Sequence, residues 1–508
     1  MTIVTDFVGS ESAVETHSRI AAIASYYGVT PQETWGNIRA GLNAFLPTPI
    51  DNGELAGSFL PKINSLNRGD MHWLNDLGGV VMWYDPSDLS TLFQDRAGTV
   101  PVTAPGQLVG VQRDKGPGGF HKTAINDAAR GTLMRHPASG VRNLARGSGS
   151  LSPSSGAWRE VTATTSGITV TPVGIGVDPD GGVYRLFDLE GTTGPVAFID
   201  LLNSGSSRVP ALPGQTYTAS ATVQIVSGNP GSDMTSGLRL TSFAEIAPTT
   251  EDGSTISATS RSTSEVLLSV SHTLVNGTSN QARASFLYRV AAGDTINCRV
   301  KLKSLQFERG AVRTAWQSVN DAAGFDVTEA GVPDVWSIRP DGLNTGYVTP
   351  VVTPGTDKAQ VFAAVRKLSD AARAMVTETG IAQSAGILRL EAPSATPGIY
   401  VFAGGGTTPA TLAVSAAAPD TSVLAGLFDI AGDSAVMRRN GVQVNSSTGD
   451  QGTGAFDAYP LYFYRRGGTS LPFNGNAYGE VIRFGPPLTP VQIAQTERWL
   501  AGKCGVTL

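Results

Sequence analysis

The sequence predicts a mainly β protein of several domains, and three observations carry that expectation. The chain has 508 residues, more than one ordinary core sustains, so about two to four domains are expected. It holds 60 glycines and 30 prolines and is only 16% charged, below the globular norm of about 25%, which suits short strands joined by turns. Finally, Tyr217, Ala219, Ala221, Val223 and Ile225 alternate with Thr216, Thr218, Ser220 and Thr222. That period of two marks a half-buried strand with one face on a core.

The elements follow in chain order. Residues 1–77 read as a small helical module. Thr30-Pro31-Gln32-Glu33 is a capping box with proline at the first helical position. The helix it opens, through about Phe45, puts Trp35, Ile38, Leu42 and Phe45 on one face. A preceding helix over about residues 12–27 carries Val14, Ile20, Ile23 and Tyr27, with Gly28 where a C-terminal cap belongs. So small a piece holds itself together poorly and is expected to dock onto something.

Strand and turn text begins at Gly78. Val80 to Tyr84 lead into the turn Asp85-Pro86-Ser87-Asp88, and residues 78–142 continue into a glycine-rich irregular connection. Residues 143–320 read as a self-contained sandwich, with candidate strands at 183–189, 237–243, 265–270, 282–290 and 296–307. Residues 321–508 are again β, closed by one helix. Thr489 is its N-cap, Pro490 its first residue, and Gln492 completes a capping box. Ile493, Thr496, Trp499 and Leu500 form its inward stripe, and Gly502 or Gly505 ends it.

The net charge of −5 (37 basic, 42 acidic) gives no basic field for nucleic acid. No run of about 18 apolar residues is present, so membrane insertion is not expected. The N-terminus lacks a basic and an apolar region of the secretory kind. Cys298 and Cys504 are too far apart in sequence for metal-ligand spacing and read as buried thiols.

Particular residues then carry a resemblance. The segment "LPFNGNAYGEVIRFGPPLTPVQIAQTERWLA" resembles the last strand and closing helix of concanavalin-like, laminin-G-type jelly rolls. The matching positions are Phe473, Gly475, Gly479, Glu480, Ile482, Phe484, Leu488, Thr489, Trp499 and Leu500. The hairpin around Asn440-Gly441 and the strand before Asp341-Gly342 are similar to others of that family. The text from Trp83 to Val102, "WYDPSDLSTLFQDRAGTVPV", resembles the opening of such a domain in bacteriophage virion proteins. The jelly roll then starts near Gly79, breaks off, and resumes near Asp326. The interrupting segment, with Gln306, Phe307, Glu308, Gly310, Thr314 and Trp316 at its close, resembles carbohydrate-binding-module β-sandwiches of phage tails and bacterial surface proteins. The fold class expected is therefore mainly β, with two jelly-roll or sandwich domains, one inserted in the other, plus the N-terminal helical module and the C-terminal helix.

Enzymatic chemistry finds little support in the residues. Jelly-roll glucanases, which such sandwiches include, present Glu-x-Asp-x-x-Glu on one strand to supply the paired carboxyls of glycoside hydrolysis. No such triplet occurs. Glu480 stands alone between Gly479 and Val481 and is expected to pair locally or to face solvent. The five histidines form no triad with a nucleophile elbow. Asp85, Asp88 and Asp95 are oxygen donors of the type calcium takes, but their spacing is not that of an EF-hand, and turn capping is the plainer expectation. No other cofactor is implied.

Glycan binding uses an exposed aromatic face with nearby polar groups. Tyr462 and Tyr464, placed on one face by strand alternation with Arg465 and Arg466 following, are the leading candidates. Trp158 and Tyr184 are the candidates in the inserted sandwich. Trp83, Trp316 and Trp336 read as core.

The resemblance implies a virion component made in the bacterial host's cytoplasm, a tail-fibre or receptor-binding protein that adheres to host-surface glycan. The N-terminal module would dock to other virion proteins, and several copies, trimers by resemblance, would act together. The alternatives are a capsid or tail decoration protein that binds virion neighbours, and a secreted polysaccharide hydrolase with an accessory module.

Overall fold

The computed structural model describes residues 71–152, 160, 163–202, 208–246, 250–251, 256–275, 277 and 279–508, together with Ile20 and Arg39. The two helices expected over residues 12–45, with the docking face Trp35, Ile38, Leu42 and Phe45, lie outside the described residues. The chain is mainly β, as the sequence predicts. It forms two compact units, one made of Met1–Met134 with Val335–Leu508 and the other of Arg135–Asp334.

The first unit is a sandwich of two nine-stranded sheets that bury a single apolar core drawn from both. Its central strand is Gly475–Phe484, all ten residues of which are buried. Lys358–Lys367 pairs along one edge of it. On the other edge Val80–Tyr84 pairs with its C-terminal half, from Val80 opposite Phe484 to Tyr84 opposite Glu480. Asp334–Arg339 takes the remainder of that edge, Ile338 opposite Ala477. The segments that precede and follow the other unit in sequence thus share one edge of one strand. That sharing lets the sheet tolerate a long excursion between them.

Alternation sorts the central strand's side chains. Glu480, Ile482 and Phe484 face inward with Met82 and Tyr84, while Val481 and Gly479 face the C-terminal helix with Trp83.

That helix is Pro490–Cys504. Its start follows from sequence chemistry. The Thr489 hydroxyl accepts from the Gln492 backbone N–H, the Gln492 side chain accepts from the Thr489 N–H, and Pro490 supplies a helical φ where no donor is needed. Gly505 ends it in the left-handed conformation, φ 75°, so the second of the two expected stops is the one used. Thr496, Trp499 and Leu500 are buried and Ile493 half-buried. Trp499 meets Trp83 edge-on with ring centroids 5.7 Å apart. Gly479 lies beneath, where an added Cβ would come within 3.2 Å of Leu500. A larger residue there would lift the helix.

The second unit is also a sandwich of two sheets, each six-stranded. One sheet is built on Thr216–Asn229, Thr295–Arg309 and Val183–Thr192. The other is built on Ala197–Asp200, Ser279–Val290 and Gly237–Ile246. Tyr217, Ala219, Ala221, Val223 and Ile225 all enter the core of this unit, as their alternation requires. Its closing turn is held by Glu308, whose carboxylate accepts from the Thr314 N–H (2.9 Å) and hydroxyl (2.6 Å). Both cysteines are buried free thiols.

Trp499→Ala removes the ring that seals the helix to the sheet and is expected to cost about 3–5 kcal/mol. Thr489→Ala removes only the cap and should cost about 1 kcal/mol. Urea unfolding of the two variants followed by circular dichroism should preserve that order; equal midpoints would refute the packing described.

Candidate functional site

The residues singled out by sequence land in quite different places. Tyr462 is half-buried on the outward face of its sheet, opposite Glu378 on one neighbouring strand and Val348 on the other. Tyr464 does not share that face. The strand ends at Phe463, and Tyr464 adopts φ 61°, a left-handed turn that brings its ring inward beside Phe463. It is fully buried, so the expectation of a paired tyrosine platform is corrected: alternation stops where the backbone leaves the extended conformation.

The arginines that follow are engaged locally. Arg465 donates to the carbonyls of Asn344 (3.3 Å) and Thr469 (3.0 Å). Arg466 is paired with Glu378, Nε to Oε2 2.8 Å. On the next strand Glu391 is held by Arg373, Nε to Oε2 2.9 Å, and by Arg389 at 3.2 Å. The outward face around Tyr462 is therefore a row of matched charges, with both carboxylates nearly inaccessible. Neither is placed as a free acid or base.

Of the two candidates in the second unit, Trp158 lies outside the described residues. Tyr184 is half-buried, and the Lys301 ammonium sits 4.7 Å from its ring centroid. That cation–π contact covers one face of a ring that is already half-buried.

Asp85, Asp88 and Asp95 take the plainer of their two expected roles, turn capping. Asp85 accepts from the Ser87 N–H and hydroxyl and from Lys503. Asp88 accepts from Ser90 and Lys115; burial opposes its ionisation, but these partners hold its pKa below the ordinary value. Asp95 closes its own turn, and the Val100 N–H, with Thr99, lowers its pKa to about 2. The three carboxylates serve three separate turns, and no group of metal-ligating side chains occurs among the described residues. Glu480, expected to pair locally or face solvent, is buried in the core against Lys122 from the opposite sheet.

Sequence reasoning missed a different face. In Ala197–Asp200 the pattern is buried, exposed, buried, exposed, so Phe198 projects outward and is 50% exposed. It stands opposite Arg289 on the strand Ser279–Val290. On the far side of that strand Arg239 stands opposite Leu287. The Arg239 guanidinium lies 4.9 Å from the Phe198 ring centroid. Nε of Arg239 and Nη1 of Arg289 are buried without a hydrogen-bond partner among the described residues. Burial of the guanidinium, and then the like charge of Arg289, lower the Arg239 pKa. Asp233, within electrostatic range of Arg289, is itself engaged by Thr235.

Two guanidinium groups within electrostatic range of each other thus lie beside a half-exposed aromatic ring. In Leu238-Arg239-Leu240 and Tyr288-Arg289-Val290 alternation sets each arginine on the solvent side of its strand, but only the strand pairing brings them together. The same unit carries a cleft of about 560 Å3 lined by Arg146, Arg208, Arg309, Gln215 and Tyr217 among others, a second place where cationic groups converge.

No protein-family model matches the chain, and no curated protein does. Solved structures do. The CBM40 of Ruminococcus gnavus IT-sialidase, bound to α2,3-sialyllactose, is 16% identical over 31% of this chain and 94% of that one, with a TM-score of 0.25. Domain 4 of AbnA, a GH43 extracellular arabinanase from Geobacillus stearothermophilus, in complex with arabinotriose, is 20% identical over 32% of this chain and 76% of that one, TM-score 0.25. The botulinum neurotoxin serotype D binding domain is 11% identical over 32% and 41%, TM-score 0.24. At these scores the likeness is partial.

Arg466→Ala should act as a stability mutation. It leaves the Glu378 carboxylate buried and uncompensated, at an expected cost of about 2–3 kcal/mol. Denaturant unfolding checks the cost, and Arg466→Ala/Glu378→Leu should recover most of it. A variant of unchanged stability would put Arg466 back among the candidate ligand contacts.

Proposed function

We propose that the chain is a non-catalytic adhesin that holds anionic glycans on the outward face of Ala197–Asp200, Ser279–Val290 and Gly237–Ile246. The observation that carries this reading is the juxtaposition of exposed Phe198 with Arg239 and Arg289, each of which keeps a buried nitrogen without a hydrogen-bond partner among the described residues. An aromatic ring offers a stacking surface to the apolar face of a sugar. A pair of guanidinium groups suits a carboxylate or a sulfate substituent on the same saccharide, because the planar fork of arginine matches two anionic oxygens at once. Sheet strands hold these groups more firmly than loops would. The absence of a catalytic step is supported by Glu378 and Glu391 being tied to arginines and by the lack of the glucanase triplet in the sequence.

The setting we propose is a phage particle, with the chain as a tail-fibre or receptor-binding protein present in several copies. Its support is the resemblance of Trp83–Val102 to the openings of phage virion domains. A decoration protein that binds mainly virion neighbours is the competing role.

The test is binding of the purified chain to host cells and to their extracted acidic polysaccharide. Arg239→Ala/Arg289→Ala should weaken binding at least about tenfold, and Phe198→Ala by about tenfold. Binding of the parent should also fall as salt rises. Undiminished binding by the double variant would refute this face; a loss confined to Arg309→Ala would move the site to the cleft. Release of reducing ends would overturn the non-catalytic reading.

A further inference from the structure

The core of the first unit contains a charged pair of unusual situation. Lys122, on the strand Lys122–Ala124 of one sheet, touches Glu480 Oε2, on the central strand of the other. The side chains are 0% and 2% exposed. Three rings wall the ammonium in: Tyr84 and Phe463, each with its centroid 4.0 Å from Nζ, and Tyr464 at 5.3 Å. Tyr464 also bridges the pair, since its hydroxyl accepts from Lys122 Nζ at 3.3 Å and donates to Glu480 Oε1 at 2.9 Å.

Apolar burial penalises ions strongly, and a buried pair is often no better than a neutral one. Burial, opposed by Glu480, accordingly lowers the Lys122 pKa. Transfer of the ammonium proton to the carboxylate leaves an amine beside a carboxylic acid, held in contact in a dry, aromatic-lined site. Fixing two reactants in this way replaces a bimolecular encounter by an effective concentration of about 10⁵–10⁸ M. Exclusion of water removes the mass action that otherwise favours hydrolysis.

We propose that Lys122 and Glu480 condense to an amide that links the two sheets of the sandwich. Lys122 Nζ attacks the Glu480 carboxyl carbon, and a C–N bond forms. The surplus N–H proton passes through the Tyr464 hydroxyl to a carboxyl oxygen, the C–O bond breaks, and one water leaves. The net change is ammonium plus carboxylate to secondary amide plus water, with no oxidant, reductant or activating group. The bond closes a covalent loop between positions 358 residues apart.

Intact-mass measurement of the purified full chain under denaturing conditions tests this directly. The linked chain is lighter than its sequence by one water, about 18 Da. Trypsin should then release residues 116–130, uncut at Lys122, joined to residues 467–483 as one branched peptide. Lys122→Ala should show the full mass, and Tyr464→Phe should show a mixture of linked and unlinked chain in fresh preparations. A wild-type chain of full mass, yielding the two peptides separately and cut at Lys122, would overturn the proposal and leave an ion pair only. The peptide readout needs no variant to fold.

Discussion

The first unit is organised around a strand that has no solvent face. Gly475–Phe484 is buried at every position, so its sequence must satisfy two apolar environments at once. Inward it meets the core of the sandwich; outward it meets the C-terminal helix. This explains Gly475 and Gly479, each of which admits a neighbour that a larger side chain would displace. At Gly475 an added Cβ would collide with the Arg366 carbonyl at 2.3 Å and with the Phe473 ring. It also explains why the strand draws its edge partners from both sides of the second unit in sequence. A strand with both faces covered gains the most from having both edges hydrogen-bonded, because an unpaired amide there has no water to turn to.

Charge is distributed by a different logic in the two units. On the outward face around Tyr462, Arg466 answers Glu378 and Arg373 with Arg389 answers Glu391. In these pairs each carboxylate is nearly buried against a guanidinium. On the face around Phe198, Arg239 Nε and Arg289 Nη1 have no hydrogen-bond partner among the described residues, and the aromatic ring is 50% exposed.

The sequence disclosed those parts of the fold that depend on local chemistry. The start of the C-terminal helix could be placed to the residue because the cap and the proline at the first position act within a few residues of each other, while its end lay between two glycines three residues apart. The core face of Tyr217–Ile225 was equally open, since period-two alternation is a property of the strand itself. Tyr464 was misread for the converse reason: its direction depends on one left-handed backbone angle that a tyrosine adopts at some cost and that only its tertiary contacts enforce. Glu480 was read as a local or solvent-facing group because its partner, Lys122, is supplied by another sheet across 358 residues of sequence. Phe198, Arg239 and Arg289 come from three strands, and each alone is an ordinary outward residue. Their meaning lies in the cross-strand register, which a single sequence does not display.

Register also bears on how a weak site becomes a useful one. A flat face with one ring and two guanidinium groups offers few contacts to a single saccharide, and much of each contact is offset by desolvation. If that face holds a saccharide, the affinity expected of a single copy is modest. The geometry compensates in another way, because the groups are fixed by paired strands rather than by loops and little ordering remains to be done on binding. If several copies display the same rigid face toward a repeating anionic polymer, each further engagement is intramolecular, and avidity rises by factors of about 10²–10⁴ without any new contact. Rigidity is what makes that multiplication available, since a face that had to order anew at each site would lose at every step what the next engagement gains.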